Sequence, residues 1–452
     1  MNIIIVGGGK IGLTVLEDLV NEGHDMVVVD SCPEIINHIS NVYDVMCVCG
    51  NGVDWETLKE AGAEKAQLLI AVTGSDEFNM LCCFMAKKMG IPHTIARIRN
   101  PEYNDQSLGF MKQALDISLV INPDSLAAKE LFDLLQLPFA EGVETFSRRN
   151  FEIVEFYLKP NSGLDGMSLM EMKKKFSASY LVGTVQRGEE VFIPSGSFRL
   201  QNGDRIGLTA SPAEIERLMK LLGMMQDRVR NVMIIGGSRV AFYLTRMLLD
   251  SGCSVTIVDQ DEKVCHSLSE SFPEAVVICG DGANEDLLLE EGLESVDAFV
   301  TLTGVDEENI LLSYQAATKK VGKIITKINR EEFFSMALKL GLDCIVTPRK
   351  LISNVLTRYA RALENSLGSG VETLYKIMDE KAEALEFKVR EDFPFTGIPL
   401  KDLKLKSNTL IAGILRGRKI IIPSGSDCIL PEDHVVVLTV QKGMTDLSHI
   451  ME

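Results

Sequence analysis

The feature that most constrains this chain is an internal repeat with an offset of 229 or 230 residues. A glycine-rich turn, an aspartate, a second glycine turn, a Thr-Gly pair and an Ile-Pro-Ser-Gly-Ser segment recur in the same order. The paired landmarks are Gly7 and Gly236, Asp30 and Asp259, Gly50 and Gly280, Gly74 and Gly304, and Pro194 and Pro423. Five landmarks in one order and at one spacing indicate two copies of a unit of roughly 225 residues.

Within each copy, roughly the first 140 residues alternate short apolar runs with helix-like segments. In the first copy the predicted strands are Asn2–Val6, Met26–Asp30, Val45–Cys49, Leu68–Val72, Thr94–Arg97 and Leu119–Ile121. Their near-continuous apolarity is typical of parallel strands buried on both faces. The rest of each copy holds short strands separated by turns. The sequence therefore predicts an α/β protein with two Rossmann-like, doubly wound parallel sheets, each followed by a small α+β domain.

The same pattern predicts six segments along the chain. They are a Rossmann domain at 1–123, a connecting helix and linker at 124–147, a small C-terminal-type domain at 148–225, a second Rossmann domain at 228–348, a second connecting helix and linker at 349–370, and a second small domain at 371–452. A helix is predicted after each of Pro123 and Pro348. These two helices could cross between subunits.

The charge balance restricts the classes of partner. The formal net charge is −18, and an acidic surface repels the phosphates of nucleic acids and of anionic lipids. The segment after Met1 lacks the pattern of a signal peptide, and no apolar run approaches the roughly 20 residues of a membrane span. We therefore expect a cytoplasmic protein that binds no nucleic acid and does not insert directly into a membrane.

The first glycine-rich turn fits a dinucleotide fingerprint. It reads Gly7-x-Gly9-x-x-Gly12, follows a predicted strand and precedes a predicted helix, and the next strand ends on Asp30. In such a motif the three glycines permit a tight turn, a close approach of the backbone to pyrophosphate, and close packing of helix on strand. The helix N-terminus attracts phosphate. Asp30 can accept hydrogen bonds from ribose hydroxyls and repels a 2′-phosphate, so we expect NAD(H) or ATP-like ligands rather than NADP(H).

Three further segments are expected to line the same crevice, because ligands of such sheets bind beyond the carboxyl ends of the strands. They are the loop containing Asn51, the pair Thr73 and Gly74, and Arg97 at the end of the fifth strand. Ordinary turns and a surface charge remain the alternative interpretation.

The second copy keeps most of this pattern but changes the phosphate turn. Ser238 replaces the glycine expected nearest the phosphates, Arg239 adds a positive charge, and Ala241 replaces the packing glycine. The other equivalent positions are Asp259, Asp281, Thr303 and Gly304, and Lys327 aligns with Arg97. We expect an altered site that favours a different nucleotide or binds weakly. A purely structural second copy is the alternative.

No catalytic or metal-binding residues are predicted. A dehydrogenase needs a general acid or base close to the nicotinamide, and none of the six histidines recurs at the repeat offset. Duplication of a binding unit without a recurring catalytic group favours sensing over turnover. The alternatives are an NAD-dependent oxidoreductase with an unrecognised substrate site, and a scaffold whose nucleotide only stabilises the fold.

The order of the motifs resembles the regulator-of-potassium-conductance family. The resemblance rests on Gly7-x-Gly9-x-x-Gly12, Asp30, Ala71-Val72-Thr73 with Asp76-Glu77-x-Asn79, and the segment from Arg97 to Tyr103. The doubled arrangement, which covers nearly the whole chain, is similar to the peripheral regulatory subunits of Trk-type potassium uptake systems. Members of the family bind NAD(H) and adenine nucleotides.

Carried over position by position, the resemblance implies nucleotide contacts in both copies. In the first they are Gly7, Gly8, Gly9, Lys10, Ile11, Asp30, Thr73, Gly74 and Arg97, and in the second Gly236, Gly237, Ser238, Arg239, Val240 and Asp259. The implied ligand is NAD(H), with ATP or ADP as further ligands, particularly at the second site. The small domains of some members bind cyclic di-AMP, which stays open for this chain.

The resemblance also implies the partners. It implies a homodimer or homotetramer on the inner face of the cell membrane, held there by an integral potassium-transporting subunit of the Trk type. Our hypothesis is a population shift, in which a bound nucleotide favours one spacing between lobes or subunits and so biases the gate of the transporter.

Overall fold

The computed structural model describes residues 1–101, 103, 105–146, 151–160, 162–225, 228–342, 344–365, 371–444 and 446–451. The predicted boundaries at residues 147, 148, 370 and 452 lie outside the described residues, as does Glu102 of the Arg97–Tyr103 segment.

A parallel six-stranded sheet forms the first third of the chain, in the order β3-β2-β1-β4-β5-β6. Its strands are β1 Asn2–Val6, β2 Asp25–Asp30, β3 Met46–Cys49, β4 Leu68–Ala71, β5 His93–Arg97 and β6 Leu119–Ile121. The helices are α1 Lys10–Asn21, α2 Pro33–Val42, α3 Trp55–Glu60, α4 Asp76–Lys88, α5 Asp105–Ala114 and α6 Pro123–Gln136. This strand order is that of a dinucleotide-binding fold.

The apolar run of β1 explains why both faces of this sheet are covered. Ile3 and Ile5 belong to one buried cluster, together with Leu16 of α1. Ile4 and Val6 belong to the cluster on the opposite face. Because successive side chains of a strand point to opposite faces, four consecutive apolar residues serve two helical layers at once.

The second parallel sheet repeats the first, in the order β14-β13-β12-β15-β16-β17. Its strands are β12 Asn231–Ile235, β13 Ser254–Asp259, β14 Val276–Cys279, β15 Ala298–Thr301, β16 Lys323–Lys327 and β17 Ile345–Val346. The helices are α9 Arg239–Asp250, α10 Glu262–Ser271, α11 Glu285–Glu290, α12 Asp306–Thr318, α13 Phe334–Lys339 and α14 Pro348–Asn365. The predicted pair of doubly wound sheets is confirmed.

Each parallel sheet is followed by an antiparallel one, in the orders β10-β9-β11-β8-β7 and β18-β19-β22-β20-β21. The first holds β7 Gly142–Phe146, β8 Phe151–Tyr157, β9 Tyr180–Arg187, β10 Glu190–Phe192 and β11 Arg205–Ala210, with helices α7 Leu169–Lys175 and α8 Pro212–Leu221. The second holds β18 Val371–Ile377, β19 Ala382–Lys388, β20 Thr409–Arg416, β21 Lys419–Ile421 and β22 His434–Thr439. β7 lies within the predicted connecting segment 124–147 and pairs with β8.

The two antiparallel sheets pack against each other. Phe146 and Phe151 of the first share a buried cluster with Ala412 and Leu438 of the second. A Cβ built on Gly413 would lie 2.5 Å from the ring of Phe151, so glycine is what lets the ring approach the strand. The two small domains therefore share one buried core between their sheets.

Two helices cross between the copies. α6, which follows the first parallel sheet, places Leu131 and Leu135 in the core of the second, against Leu244 of α9. α14, which follows the second parallel sheet, places Ile352 and Leu356 in the core of the first. Both helices therefore cross between the two copies of a single chain, and their crossing between subunits stays a prediction.

Polar contacts fix α14 in this position. Arg361 of α14 forms an ion pair with Glu22 at the end of α1, and it lies 3.3 Å from Oε1 of Glu383 in β19. The Arg358 guanidinium lies 4.7 Å from the ring centroid of Tyr375, whose hydroxyl donates to the carbonyl of Thr145 in β7 at 2.6 Å. One helix therefore contacts the first parallel sheet and, directly or through Tyr375, both small sheets.

An acidic cavity of about 560 Å³ lies between α6, α13, α14 and the two small domains. Glu130 of α6 and Glu144 of β7 line it. Burial raises the pKa of Glu130 to about 7, and Asp133 adds to the shift. Burial and the neighbouring Glu130 raise the pKa of Glu144 as well.

None of the helices in the described segments has the length and apolarity needed to cross a bilayer.

Candidate functional site

The first glycine turn has the geometry that the fingerprint requires. Gly7 adopts a φ of 107°, and a Cβ there would lie 3.0 Å from the backbone nitrogen of Thr73. A Cβ on Gly12 would lie 1.9 Å from the carbonyl oxygen of Gly7, so glycine lets α1 lie against the turn. A Cβ on Gly9 would meet no atom within 4 Å. The space in front of the α1 N-terminus is therefore open, as a phosphate site demands.

Asp30 is held at the end of β2 by two backbone amides. Its Oδ2 accepts from the Gly8 amide at 2.7 Å, and its Oδ1 accepts from the Cys32 amide at 2.9 Å. Each carboxylate oxygen has a second lone pair, so ribose hydroxyls can still bind. The two amides fix the orientation of the carboxylate before any ligand arrives.

Asp76 and Asn79 at the start of α4 hold the loops after β4 and β5 in place and do not themselves line the cavity. The fully buried Asn79 accepts the Thr73 amide at 2.8 Å and donates to the Arg97 carbonyl at 2.9 Å. Asp76 accepts the Arg99 amide at 2.8 Å. α4 thus ties the loop after β4 to the loop after β5.

Two arginines face the cavity with unused donors. Arg97 is 8% exposed and donates to the carbonyl of Thr73, and Arg99 follows β5. The Nε atoms of both are buried without a hydrogen-bond partner in the described part of the chain. Burial and the neighbouring Arg99 lower the pKa of Arg97 to about 10, with Asp76 and Asp124 acting in the opposite direction. Buried guanidinium donors without acceptors fit an anionic ligand.

These elements enclose a cavity of about 760 Å³. Of the predicted residues, those that line it are Gly7, Gly9, Lys10, Ile11, Asp30, Thr73, Gly74 and Arg97. Gly8, Gly12 and Asn51 are not among the lining residues. Gly8 and Gly12 are packed beneath the turn, and Asn51 instead accepts the amide of Val53 at 3.1 Å. Its neighbours Gly50 and Gly52 face the cavity in its place.

Part of the lining comes from the opposite copy. Asn329, Pro348, Arg349 and Ile352 close the first cavity from the side of the second parallel sheet, and Asp124 of α6 also lines it. None of these residues was predicted from the sequence motifs, because their place follows from how the two copies pack together. The only available signal was the prolines that mark the helix starts.

The glycine turn of the second copy has the same geometry as that of the first. Gly236 adopts a φ of 98°, and Asp259 accepts the Gly237 amide at 2.6 Å. Ser238 has φ −66° and ψ 170°, close to the φ −70° and ψ −173° of Gly9. Its Cβ therefore fits without strain, and its buried Oγ has no hydrogen-bond partner among the described residues.

The remaining predicted positions of the second copy occupy the equivalent places. Val240 is buried at the start of α9, and Arg239 beside it is exposed. Thr303 donates its amide to Asn309 at 3.0 Å, as Thr73 does to Asn79. Gly304 has open space at its Cβ position. The Asp281 side chain accepts the Ala283 amide at 2.9 Å, as Asn51 does in its own turn.

Lys327 takes the place of Arg97 at the end of β16. Its ammonium donates to the carbonyl of Leu302 at 3.1 Å, and the carbonyl of Lys327 accepts from the side-chain amide of Asn309 at 3.0 Å. Burial lowers its pKa, with Asp306 and Asp124 acting in the opposite direction. The alignment of Arg97 with Lys327 is confirmed.

Comparison with known proteins finds the same two kinds of domain in each copy of the repeat. The TrkA-N domain model matches residues 3–123 and 232–348, and the TrkA-C domain model matches 153–223 and 384–451. The chain belongs to the TrkA family.

Relatives in this family match over the full length. The Trk system potassium uptake protein TrkA of Vibrio alginolyticus is 30% identical, and the match covers 98% of this chain and 96% of the relative. The TrkA homolog 1 of Methanosarcina mazei is 29% identical, with 99% of both chains covered.

Solved structures show the same fold at lower identity. A structure described as the GsuK channel bound to NAD matches with a TM-score of 0.64 and 18% identity, over 98% of this chain and 77% of that one. The GsuK RCK domain matches with a TM-score of 0.64 and 17% identity, over 98% and 93% of the two chains. This pair of Rossmann and small sheets is therefore an arrangement shared with those proteins.

Proposed function

We propose that this TrkA-family chain is a nucleotide-sensing regulatory subunit that gates a membrane potassium-transporting subunit of the Trk type. One observation carries the proposal. The 760 Å³ cavity begins at the glycine turn of one copy and is closed by Asn329 and Arg349 of the other. A ligand that fills it touches both copies, so its binding free energy depends on how the copies are placed.

The chemistry of the first cavity favours NAD(H) or an adenine nucleotide. The open space at Gly9 and the α1 N-terminus accept phosphate, Arg97 and Arg99 carry unused donors, and Asp30 is oriented for ribose hydroxyls. The proposed contacts of this site are Gly7, Gly8, Gly9, Lys10, Ile11, Gly12, Asp30, Asn51, Thr73, Gly74 and Arg97. The GsuK structures with NAD and with ADP bound, which share the fold, support this ligand class.

The second copy is proposed to bind ATP or ADP in preference to NAD(H). Ser238 brings a buried hydroxyl without a partner to the phosphate turn, and Arg239 adds a cation that NAD(H) does not need. The proposed contacts are Gly236, Gly237, Ser238, Arg239, Val240, Asp259, Asp281, Thr303 and Gly304.

α14 supplies a route from the first site to the rest of the molecule. Its first turn lines the cavity, and its middle lies in the core of the first parallel sheet. Arg361 and Arg358 near its end contact the second small domain. A nucleotide that displaces α14 therefore changes the spacing between the parallel sheets and the small domains. Tenfold discrimination between two arrangements corresponds to about 1.4 kcal/mol, and nearly complete switching to about 5.5 kcal/mol.

The proposed assembly is a homodimer or homotetramer beneath the transporter, peripheral on the cytoplasmic face of the membrane. Leu81 of α4 and its repeat equivalent Leu311 of α12 are 47% and 67% exposed, and Tyr314 next to Leu311 is 45% exposed. Large apolar side chains exposed at equivalent positions of both copies favour association with a second chain. The names of the curated relatives support the potassium transporter as the membrane partner. The proposal includes the boundaries of the six segments that the sequence predicts.

Calorimetric titration tests the binding part of the proposal. NADH, NAD, NADPH, ATP and ADP are titrated into the wild type, into Asp30→Arg and into the matched second-copy variant Asp259→Arg. We expect the wild type to bind NADH or ATP, and we expect Asp30→Arg to lose binding at the first site only. A wild type that binds none of the five ligands would contradict the proposal.

A flux measurement tests the gating part. The chain is reconstituted with its transporting subunit in vesicles, and potassium flux is measured with and without each nucleotide that binds. We expect flux to differ by more than tenfold between the best activator and the best inhibitor. Equal flux under all conditions, with binding intact, would leave the scaffold interpretation, and steady NADH oxidation with a metabolite present would favour an oxidoreductase.

A further inference from the structure

Two cysteines meet at the end of the edge strand of the second parallel sheet. Cys279 ends β14, which is that edge strand, and its side chain is exposed. Cys265 lies in α10 and is 7% exposed. α10 packs on the sheet face to which Val277 points, since Val277 packs against the buried cluster that contains Leu268. Cys279 lies two residues beyond Val277 and therefore points toward the same helix.

The backbone contacts of Cys265 show that the two thiols are neighbours. Its Sγ donates to the carbonyl of Asp259 at 3.2 Å and lies 3.8 Å from the carbonyl oxygen of Ile278, the residue before Cys279. Asp259 is also the residue of β13 that pairs with Cys279 in the sheet. Burial raises the pKa of Cys265 to about 11, and the neighbouring thiol of Cys279 adds to the shift. The buried thiol therefore stays protonated at neutral pH, whereas the exposed one is open to reagents in solution.

The equivalent positions of the first copy hold a single cysteine. Cys49 ends β3 and pairs with Asp30, the carboxylate proposed to bind ribose in that copy. Ile36 is the fourth residue of α2, as Cys265 is the fourth residue of α10. The first copy therefore has an aliphatic side chain where the second has a thiol, so the fold itself does not require the pair.

We propose that Cys265 and Cys279 form an oxidisable dithiol that hydrogen peroxide converts into a disulfide, and that this disulfide weakens nucleotide binding at the second site. The thiol site stands on the geometry just described, whereas its effect on binding rests on the nucleotide site proposed for the second copy. Disulfides in reducing compartments are mostly transient and redox-sensing, so a reversible bond fits the cytoplasmic location proposed for this chain.

The chemistry needs only the peroxide and the two thiols. Sγ of Cys279 attacks one peroxide oxygen and the O–O bond breaks, so that the thiol proton leaves with the other oxygen as water and a sulfenic acid remains. Sγ of Cys265 then attacks Sγ of Cys279. The S–S bond forms, the S–O bond breaks, and the hydroxide leaves with the proton of Cys265 as the second water. The two sulfurs lose two electrons in all, and an excess of a small thiol reverses the reaction by disulfide exchange.

The disulfide alters the ribose end of the second site. Oxidation removes the hydrogen bond from Cys265 to the carbonyl of Asp259, because a disulfide sulfur carries no proton. It also draws α10 toward the end of β14, since a covalent S–S bond is shorter than a contact between two thiols. The Asp259 carboxylate lies between these elements and accepts the amides of Gly237 at 2.6 Å and Asp261 at 2.8 Å. We therefore expect the carboxylate that is proposed to bind ribose to be displaced.

Peptide mass spectrometry of the full chain tests the thiol site. The reduced protein is treated with hydrogen peroxide, the remaining thiols are alkylated, and the digest is analysed without reduction. We expect a cross-linked peptide pair that joins Cys265 to Cys279 and that dithiothreitol separates. Ile36→Cys should add the equivalent cross-link to Cys49 in the first copy. A wild type in which Cys279 reaches the sulfinic acid without any cross-link to Cys265 would overturn the proposal.

Calorimetric titration tests the effect on binding. ATP is titrated into the reduced and the oxidised forms of Asp30→Arg, in which only the second site is expected to bind. We expect oxidation to weaken binding by about fivefold, the effect of one lost hydrogen bond. Adding Cys279→Ser should abolish this response. Adding Cys49→Ser, which removes the matched exposed thiol of the first copy, should leave the response unchanged.

The two halves of the proposal can fail separately. Equal affinities of the reduced and oxidised forms, with the cross-link present, would overturn the effect on binding. A reduced protein that binds no ATP at the second site would contradict the proposed nucleotide site and with it that effect, while the mass spectrum still decides the thiol site. Thermal melting of each variant separates misfolding from lost affinity.

Discussion

The amide of Gly8 donates to Oδ2 of Asp30 at 2.7 Å, which ties the phosphate turn to the end of the neighbouring strand before a ligand is present. The same contact recurs between Gly237 and Asp259 at 2.6 Å. One interaction therefore serves two purposes in the first copy, because Asp30 both stabilises the turn and faces the cavity.

The matched pair Asp30→Asn and Asp259→Asn separates these two purposes. We expect each substitution to lower the free energy of unfolding by about 1–2 kcal/mol, since each weakens two hydrogen bonds to a charged acceptor. Only Asp30→Asn should reduce affinity for the first-site ligand. Urea unfolding and calorimetric titration measure the two effects, and an equal loss of first-site affinity in both variants would contradict the assignment of Asp30.

Gly9→Ser should leave the fold intact and weaken phosphate binding. The position has a backbone conformation that Ser238 already adopts in the second copy, and the added Cβ meets no protein atom. We expect a melting temperature within about 2 °C of the wild type, since the change is strain-free, and weaker binding of NADH. Unchanged affinity would mean that the ligand does not approach the turn at Gly9.

Gly12→Ala, unlike Gly9→Ser, should destabilise the fold. The new Cβ would lie 1.9 Å from the Gly7 carbonyl oxygen, so α1 must shift away from the sheet, at a cost of about 1–3 kcal/mol. Ala241 occupies the equivalent position of the second copy, so the fold itself is compatible with this side chain. Thermal unfolding measures the loss, and a melting temperature equal to that of the wild type would contradict this packing argument.

Asn79→Ala should destabilise the first parallel sheet and disturb the cavity. Its side chain links the Thr73 amide to the Arg97 carbonyl and is fully buried, so its removal leaves two buried backbone groups unsatisfied. The expected loss of stability is about 2–4 kcal/mol. Asn309→Ala should cost as much in the second copy. A loss below about 1 kcal/mol in urea unfolding would show that water replaces the amide.

The acidic cavity predicts how stability depends on pH. The folded-state pKa of Glu130 is about 7, above the value of 4.5 for an exposed glutamate, so the folded state binds the proton more tightly. Stability should therefore fall as the pH rises from about 4.5 to 7, and remain lower above it. Glu130→Gln should reduce this slope and stabilise the protein at pH 8, whereas Glu290→Gln, at an exposed position of α11, should not. Urea unfolding at pH 5 and pH 8 measures the difference.

The local motifs were predictable because their requirements are local. Gly7 needs a positive φ, and Asp30 ends a strand whose apolar run is visible in the sequence, so the turn, the strand and their order in the sheet follow from a few neighbouring residues. Asn51 was predicted from the same kind of pattern, but its side chain caps its own turn and its glycine neighbours line the cavity. A loop motif does not reveal which of its atoms faces the ligand.

The contribution of Arg349 was not predictable in this way. It reaches the first cavity because α14 packs against Leu16 and its neighbours, and that choice depends on the complementarity of two surfaces far apart in sequence. The apolar face of α14 indicates burial but not against which sheet. The exchange of helices between the copies therefore required the three-dimensional structure.

The crossing of α6 and α14 has a consequence for how the protein is made. α6 is synthesised long before the α9 surface that buries Leu131 and Leu135, so the first copy leaves the ribosome with an apolar helix face that only the second copy covers. Separate half-length chains would satisfy the same need by pairing with themselves as often as with each other. A single polypeptide instead guarantees that every molecule carries one first-copy site closed by Arg349 and one second-copy site, in a fixed one-to-one ratio.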